Sequence, residues 1–262
     1  MELRIESLVR LPDLRAADEL LREVWGAPGS EPPMALDMMR ALAYTGGYVA
    51  GAYDGDVLVG VAAGFRSAEG GLHSHITGVA PGRHGQGVGL ALKRHQRTWA
   101  AEHGLDDITW TFDPLIRRNA YFNLTKLGAL AEAYLPDFYG PMTDGINDGD
   151  ASDRLFVRWT SEPPEPPEPP ERSERSERSE RSEDVKRADL LTEDLAASSP
   201  TGEPLRCATP ADIEGLRKTD PGLARAWRAA LRDSLGTALA AGYRVAGFTR
   251  GGWYLLDPLE IT

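Results

Sequence analysis

The chain has 262 residues, 41% of them hydrophobic, enough for one large domain or two small ones with real cores. Its 40 acidic residues against 29 basic ones leave a net charge of −11, which argues against a nucleic-acid or anionic-membrane binder. One cysteine, Cys207, excludes an internal disulfide and fits a reducing, cytoplasmic setting, where it reads as a small buried residue or an idle thiol. The opening M-E-L-R-I-E has neither the basic nor the apolar part of a leader, and no run of about 18 apolar residues occurs that could span a membrane.

Leu3–Val9 reads as a strand. Asp13 offers an N-cap to a helix reaching about Trp25, with Leu14, Ala17, Leu20, Leu21 and Val24 on one face. Met34–Tyr44 is a second helix, and Tyr48–Tyr53 and Val57–Phe65 are strands joined through Asp54-Gly55, a hairpin signal. Leu72–Val79 is a strand, Gly87–His103 a helix ending at Gly104, Asp107–Phe112 a strand, and Ile116–Leu127 a helix ending at Gly128. Two strands follow, Ala129–Tyr134 and Arg154–Trp159. An antiparallel meander feeding a βαβ unit predicts an α/β fold: a mixed, mostly antiparallel sheet with helices on both faces.

The sharpest break in composition is Glu162–Asp184, three E-P-P units followed by four E-R-S units. Proline blocks helix and ladder hydrogen bonds, and the E-R-S part has no apolar residue to bury, so 162–184 reads as a disordered linker between domains 1–161 and 185–262. In the last segment Leu190–Leu195 is an apolar patch, and Thr209-Pro210 and Asp220-Pro221 each read as a helix start. Leu223, Trp227, Leu231, Leu235 and Leu239 form a stripe on the longer helix, and Tyr243–Thr249 and Trp253–Leu256 form a hairpin around Gly251-Gly252. So thin a core should dock on the first domain or on a second copy in a homodimer.

The segment richest in chemistry is Val79–Leu92, V-A-P-G-R-H-G-Q-G-V-G-L-A-L, an apolar strand end, a glycine-rich turn and a helix start. Glycines let backbone amides approach a ligand, and a helix N-terminus carries unpaired N–H groups and the positive dipole end, so the turn is a cradle for pyrophosphate. Arg83, Lys93, Arg94 and Arg97 lie beside it, and Arg117, Arg118 and Lys126 follow on the next helix. Local positive charge suits a small polyanion, although solvated helix faces are the plainer reading for most of the seven. A P-loop would need Lys and Ser/Thr after Gly87, and a dinucleotide fold a third glycine where Leu92 stands, so neither fits.

His84–Gly89, led in by Val79-Ala80-Pro81, resembles the [QR]-x-x-G-x-[GA] motif of the GNAT superfamily of N-acetyltransferases, with Gly87 and Gly89 at the small positions and His84 where Gln or Arg is usual. The resemblance spans about residues 1–160 and extends to the predicted element order. It implies acetyl-CoA or another acyl-CoA as co-substrate. Arg83, His84, Gly85, Gln86, Gly87, Val88 and Gly89 would then cup the pyrophosphate, and Thr77, Gly78 and Val79 would line the pantetheine arm. The family's next helix, N-x-x-A-x-x-x-Y-x-K-x-G-F, aligns on Ala120, Lys126 and Gly128, with Asn119 and Asn123 near the arm. Its tyrosine, the general acid in many members, falls on Leu124, which has no proton to give. Tyr121, Tyr134 and Tyr139 are the nearby substitutes, and Tyr139 is the preferred one. The string from Ile108 to Ala129 is similar to a predicted-acyltransferase branch and leaves the acyl group open between acetyl, succinyl and others.

Asp113 closes its strand, where it could bind the acceptor or orient Arg117, or simply cap the next helix. Period-2 alternation on Leu72–Val79 puts His73, His75, Thr77 and Val79 on one face, which makes His75 the candidate general base. His73 and His75 lack a third ligand, so no metal is expected, and no G-x-S-x-G elbow points to a nucleophilic serine. The resulting expectation is N-acylation of a small-molecule primary amine by direct attack. A non-catalytic acyl-CoA sensor is the alternative, and an interaction protein that merely keeps the fold is a third.

Overall fold

The computed structural model describes residues 3–26, 34–140, 150–160 and 186–259; the predicted linker lies outside them. The chain divides into two compact units. Of the described residues, one is built on 3–26 and 34–110 with Thr160, and the other comprises 111–140, 150–159 and 186–259.

The first unit runs β1 (Leu3–Ser7), α1 (Leu11–Trp25), α2 (Leu36–Tyr44), β2 (Tyr48–Asp54), β3 (Val57–Arg66), β4 (Leu72–Val79), α3 (Val88–Glu102) and β5 (Asp107–Phe112), whose last two residues open the second unit. Helix α1 starts earlier than predicted, because Pro12 suits a first turn and needs no amide partner there. Asp13 is therefore no N-cap: it lies inside the helix and accepts from Arg10 Nε at 2.9 Å.

The strands lie in the order β1-β2-β3-β4-β5. The first three pairings are antiparallel and β4–β5 is parallel, the mixed, mostly antiparallel pattern expected. Leu14, Ala17, Leu20 and Leu21 of α1 pack with Met39, Val61, Ala63 and Ile76 on one face of the sheet. Helix α3 takes the other face: a Cβ added at Gly60 of β3 would meet Val88 at 2.6 Å. Each fully buried leucine contributes about 1.5–3 kcal/mol.

The register of β3 on β4 jumps from Ala63↔Ile76 to Gly64↔Ser74, leaving His75 as an extra residue in a β-bulge. This corrects the expected alternation. Partners across the ladder share a face, so Ile76 and Gly78 lie on the α1 side with Val61 and Ala63, while Thr77 and Val79 lie on the α3 side. His73 pairs with Phe65, on the α1 side and opposite Thr77. The bulge thus breaks the single face drawn through His73, His75, Thr77 and Val79.

The second unit continues from β5 into α4 (Arg117–Ala120), one turn that widens into a π-helical segment, Tyr121–Lys126. Then come β6 (Leu130–Leu135), β7 (Arg154–Thr160), β8 (Ala188–Leu191), β9 (Leu205–Ala208), α5 (Ile213–Thr219), α6 (Pro221–Leu231), a second π segment (Arg232–Gly236), α7 (Thr237–Ala240), β10 (Tyr243–Phe248) and β11 (Trp253–Pro258). β6 and β7 are antiparallel, and the last four strands form a sheet in the order β10-β11-β9-β8. The predicted C-terminal hairpin is present, but β9 extends it, which no hairpin of two strands achieves alone. Helix α5 starts at Asp212, whose carboxylate accepts from Gly215 N at 2.9 Å; Thr209, expected as the cap, instead donates to Gly252 O at 2.7 Å. Asp220 caps α6 as predicted. Tyr254 Oη donates to Pro114 O, and Thr125 Oγ1 to Phe248 O, both at 2.7 Å, so residues 205–258 pack on residues 111–130 within this unit.

Candidate active site

Between β4 and α3 the chain turns through Gly82, Gly85 and Gly87, with φ of +77°, +78° and +87°. Side chains rarely adopt that backbone, and a Cβ added at any of the three would meet nothing within 4 Å. The turn is held from within: Gln86 Nε2 donates to Gly82 O at 2.9 Å, and Arg83 Nη1 donates to Asp54 at 2.8 Å. Gly87 is the N-cap of α3, which has no side-chain cap and no acidic residue in its first turn. The amides of Val88, Gly89 and Leu90 therefore begin a 15-residue helix at its positive end, beside an exposed turn carrying His84.

Immediately upstream, Thr77 and Val79 lie on the α3 face of β4, and Thr77 Oγ1 is buried without a hydrogen-bond partner. β4 runs parallel to β5, with Leu72 opposite Ile108 and His73 opposite Thr109. Uncapped helix amides, a turn open where side chains would be and an orphaned hydroxyl fit the pyrophosphate and arm of coenzyme A.

The two histidines differ. His73 Nδ1 lies 3.2 Å from Thr109 Oγ1, and burial, with smaller pushes from His75 and Lys93, lowers its imidazole to about 4. His75, at the bulge, is half-buried with its ring 5.8 Å from that of Phe65.

The remaining predicted residues belong to the second unit. Tyr139 is exposed, with its hydroxyl 3.3 Å from Thr111 Oγ1, its ring 5.2 Å from the Arg154 guanidinium, and its amide donating to Ser152 Oγ. Tyr134 is committed to Asp153, to which it donates at 2.7 Å, and burial pushes its phenol far up. Tyr121 Oη accepts from Arg250 Nε at 3.1 Å. Asn119 is half-buried in α4, and Asn123 and Leu124 are buried in the π segment.

Asp113 does not face an acceptor. It is buried, accepts from Arg228 Nη1 and Nη2 at 2.8 Å each, from Arg217 Nη2 and from Leu115 N, and shares both guanidiniums with Asp150. Against the cost of burial, the two guanidiniums hold its carboxyl well below the usual range. Arg117 is not its partner either: it donates to Thr209, and a Cβ at Gly252 would land on its guanidinium. The sequence hides this quartet because its partners are 104 and 115 residues apart. Among the described residues there is no cluster of three or more His, Cys, Asp or Glu that could hold a metal, and no helix long and apolar enough to cross a membrane.

Residues 14–128 match the Acetyltransferase (GNAT) family. These residues form a GNAT domain. Solved structures share its fold. The ribosomal-protein-S18-alanine N-acetyltransferase from Escherichia coli is 16% identical with a TM-score of 0.50, over 61% of this chain and 94% of its own. The yncA protein from Salmonella typhimurium, solved with its cofactor acetyl-CoA, is 16% identical with a TM-score of 0.50, over 64% and 99%. At these identities the likeness is one of fold. No curated protein matches the chain. The GNAT match includes the whole glycine turn and ends at Gly128, the residue that closes the π segment.

Proposed function

We propose that the protein is an acyl-CoA-dependent N-acyltransferase that moves an acetyl, succinyl or other acyl group onto the primary amine of a small molecule. The observation that carries this is the turn from Gly82 to Gly89, which leaves β4 through three left-handed glycines and enters an uncapped helix in a GNAT domain. The amides from Gly85 to Gly89, with Arg83, His84 and Gln86 at the rim, hold the pyrophosphate. Thr77, Gly78 and Val79 line the arm, and Asn119 and Asn123 are its further contacts. When bound, the thioester supplies an activated acyl carbon that a neutral amine attacks, forming the C–N bond as the C–S bond breaks, with no covalent enzyme intermediate.

His75 takes the proton the amine loses, directly or through water; His73, at about 4, is too weak a base for that task at neutral pH. A backbone N–H near Val79 stabilises the developing oxyanion. Tyr139 is the proton donor of choice, since Tyr134 is spent on Asp153 and Leu124 is apolar. Asp113 and Arg117 are assigned to the architecture of the second unit rather than to the acceptor.

Titration calorimetry of the full chain with CoA and acetyl-CoA tests the reading, and absence of heat with either overturns it. Thiol release from acetyl-, succinyl- and longer-chain CoA against an amine panel tests catalysis. The buried Leu124 favours one second reading, a sensor that binds acyl-CoA without turning it over; binding without thiol release to any amine would establish it.

A further inference from the structure

Glycine restricts its own backbone least of all residues, and Gly82, Gly85 and Gly87 all stand at positive φ in the short turn that leads into α3. A cradle made of backbone amides serves a ligand only as far as its shape is set beforehand. Local preference alone does not set this one, so the contacts that do are informative.

Two side-chain hydrogen bonds hold it. Gln86 Nε2 donates to Gly82 O at 2.9 Å, a tie within the turn. Arg83 Nη1 donates to Asp54 Oδ2 at 2.8 Å, and among the described residues this is the only side-chain hydrogen bond that leaves the turn. Its far end is the tip of the β2–β3 hairpin. Asp54 is the last residue of β2 and pairs with Val57, so Gly55 and Asp56 form a two-residue loop. The backbone brings the two ends together. β3 and β4 pair as far as Gly60↔Val79, Ala80 N then donates to Val59 O at 2.9 Å, and Arg83 N donates to Ala80 O at 3.0 Å. The chain leaves the sheet beside the hairpin, and the guanidinium reaches back to it.

The hairpin does not account for Asp54. Gly55 takes the positive φ of the loop, and among the described residues the Asp54 carboxylate accepts from Arg83 alone. Folding stability does not account for it either. The side chains of Arg83 and Asp54 keep 34% and 31% of their exposure, and so wet a pair adds little. A carboxylate near an anion cradle repels the ligand unless it serves the cradle in another way, and this one grips the turn.

We propose that Asp54 is a positioning residue of the coenzyme A site, fixing the pyrophosphate turn through Arg83. This rests on the acyl-CoA reading. A guanidinium has five N–H donors, so Arg83 bonds to Asp54 and keeps others for the rim.

Calorimetry of CoA binding to the full chain, at physiological ionic strength, tests this. Asp54→Asn keeps the size of the side chain and loses its charge, and should weaken binding about three- to tenfold. Asp54→Glu, which keeps the carboxylate, should recover most of that loss. Because Asp54 acts through Arg83, Asp54→Asn combined with Arg83→Gln should bind no more weakly than Arg83→Gln alone. Unchanged affinity in Asp54→Asn overturns the assignment while the acyl-CoA reading stands. So does tighter binding, which would make the carboxylate a competitor of the ligand for Arg83, and so do losses that multiply in the double variant. Should Asp54→Asn not melt cooperatively, Asp54→Ser replaces it and is read the same way. If CoA does not bind the wild type, both this assignment and the acyl-CoA reading fall.

Discussion

The two units bury charge in opposite ways. The first holds a lone ammonium, Lys93, against a hydroxyl, an amide and an indole. The second holds Asp113 and Asp150 against Arg217 and Arg228, two charges of each sign. The balanced set is complete as it stands and is suited to holding chain segments together. The unbalanced one rests on neutral groups alone, and burial pushes its amine down to about 7.

The largest effect should come from unbalancing the second set. Arg228→Ala leaves Asp113 and Asp150 sharing one guanidinium in a buried site, and denaturant melts should show a loss of about 3–5 kcal/mol. Next comes the pH dependence of the first set. The folded amine titrates at about 7 and the unfolded one at 10.5, so between these values the unfolded chain binds the extra proton and stability rises with pH. The slope approaches about 1.4 kcal/mol per pH unit within that window, and the penalty is constant below it. Lys93→Met should flatten this part of the profile and raise stability at pH 7, read by melts across the range. A smaller effect is expected at the turn. Gly87→Ala forces a side chain to φ +87°, at about 1–2 kcal/mol, and calorimetry should show CoA binding weakened tenfold or more as the helix amides shift. The smallest is Tyr254→Phe, which strips the donor from the buried Pro114 carbonyl and should cost about 1 kcal/mol.

What the sequence made legible was local. Asp54-Gly55 announced its hairpin because turn chemistry lies in the turn itself, and Gly55 does take φ +59°. The turn through Gly82, Gly85 and Gly87 was readable for the same reason. The bulge at His75 was not: nothing in L-H-S-H-I-T-G-V marks an extra residue, and only pairing with β3 reveals it. Strands β8 and β9 have four residues each, too few for a pattern, and exist through partners elsewhere in the chain. Lys93 stood in a basic run that reads as a wet helix face, and its burial is a property of Ser74, Gln96 and Trp110 together.

The ion quartet also sets where the chain can be cut. A protein trimmed after Thr160, the last residue of β7, would keep Asp113 and Asp150 but discard Arg217 and Arg228. Two carboxylates would lose both guanidiniums that neutralise them, along with the helices that supply those guanidiniums. Such a fragment should go insoluble in expression trials, whereas one that removes only the E-P-P and E-R-S tract spares every member of the quartet.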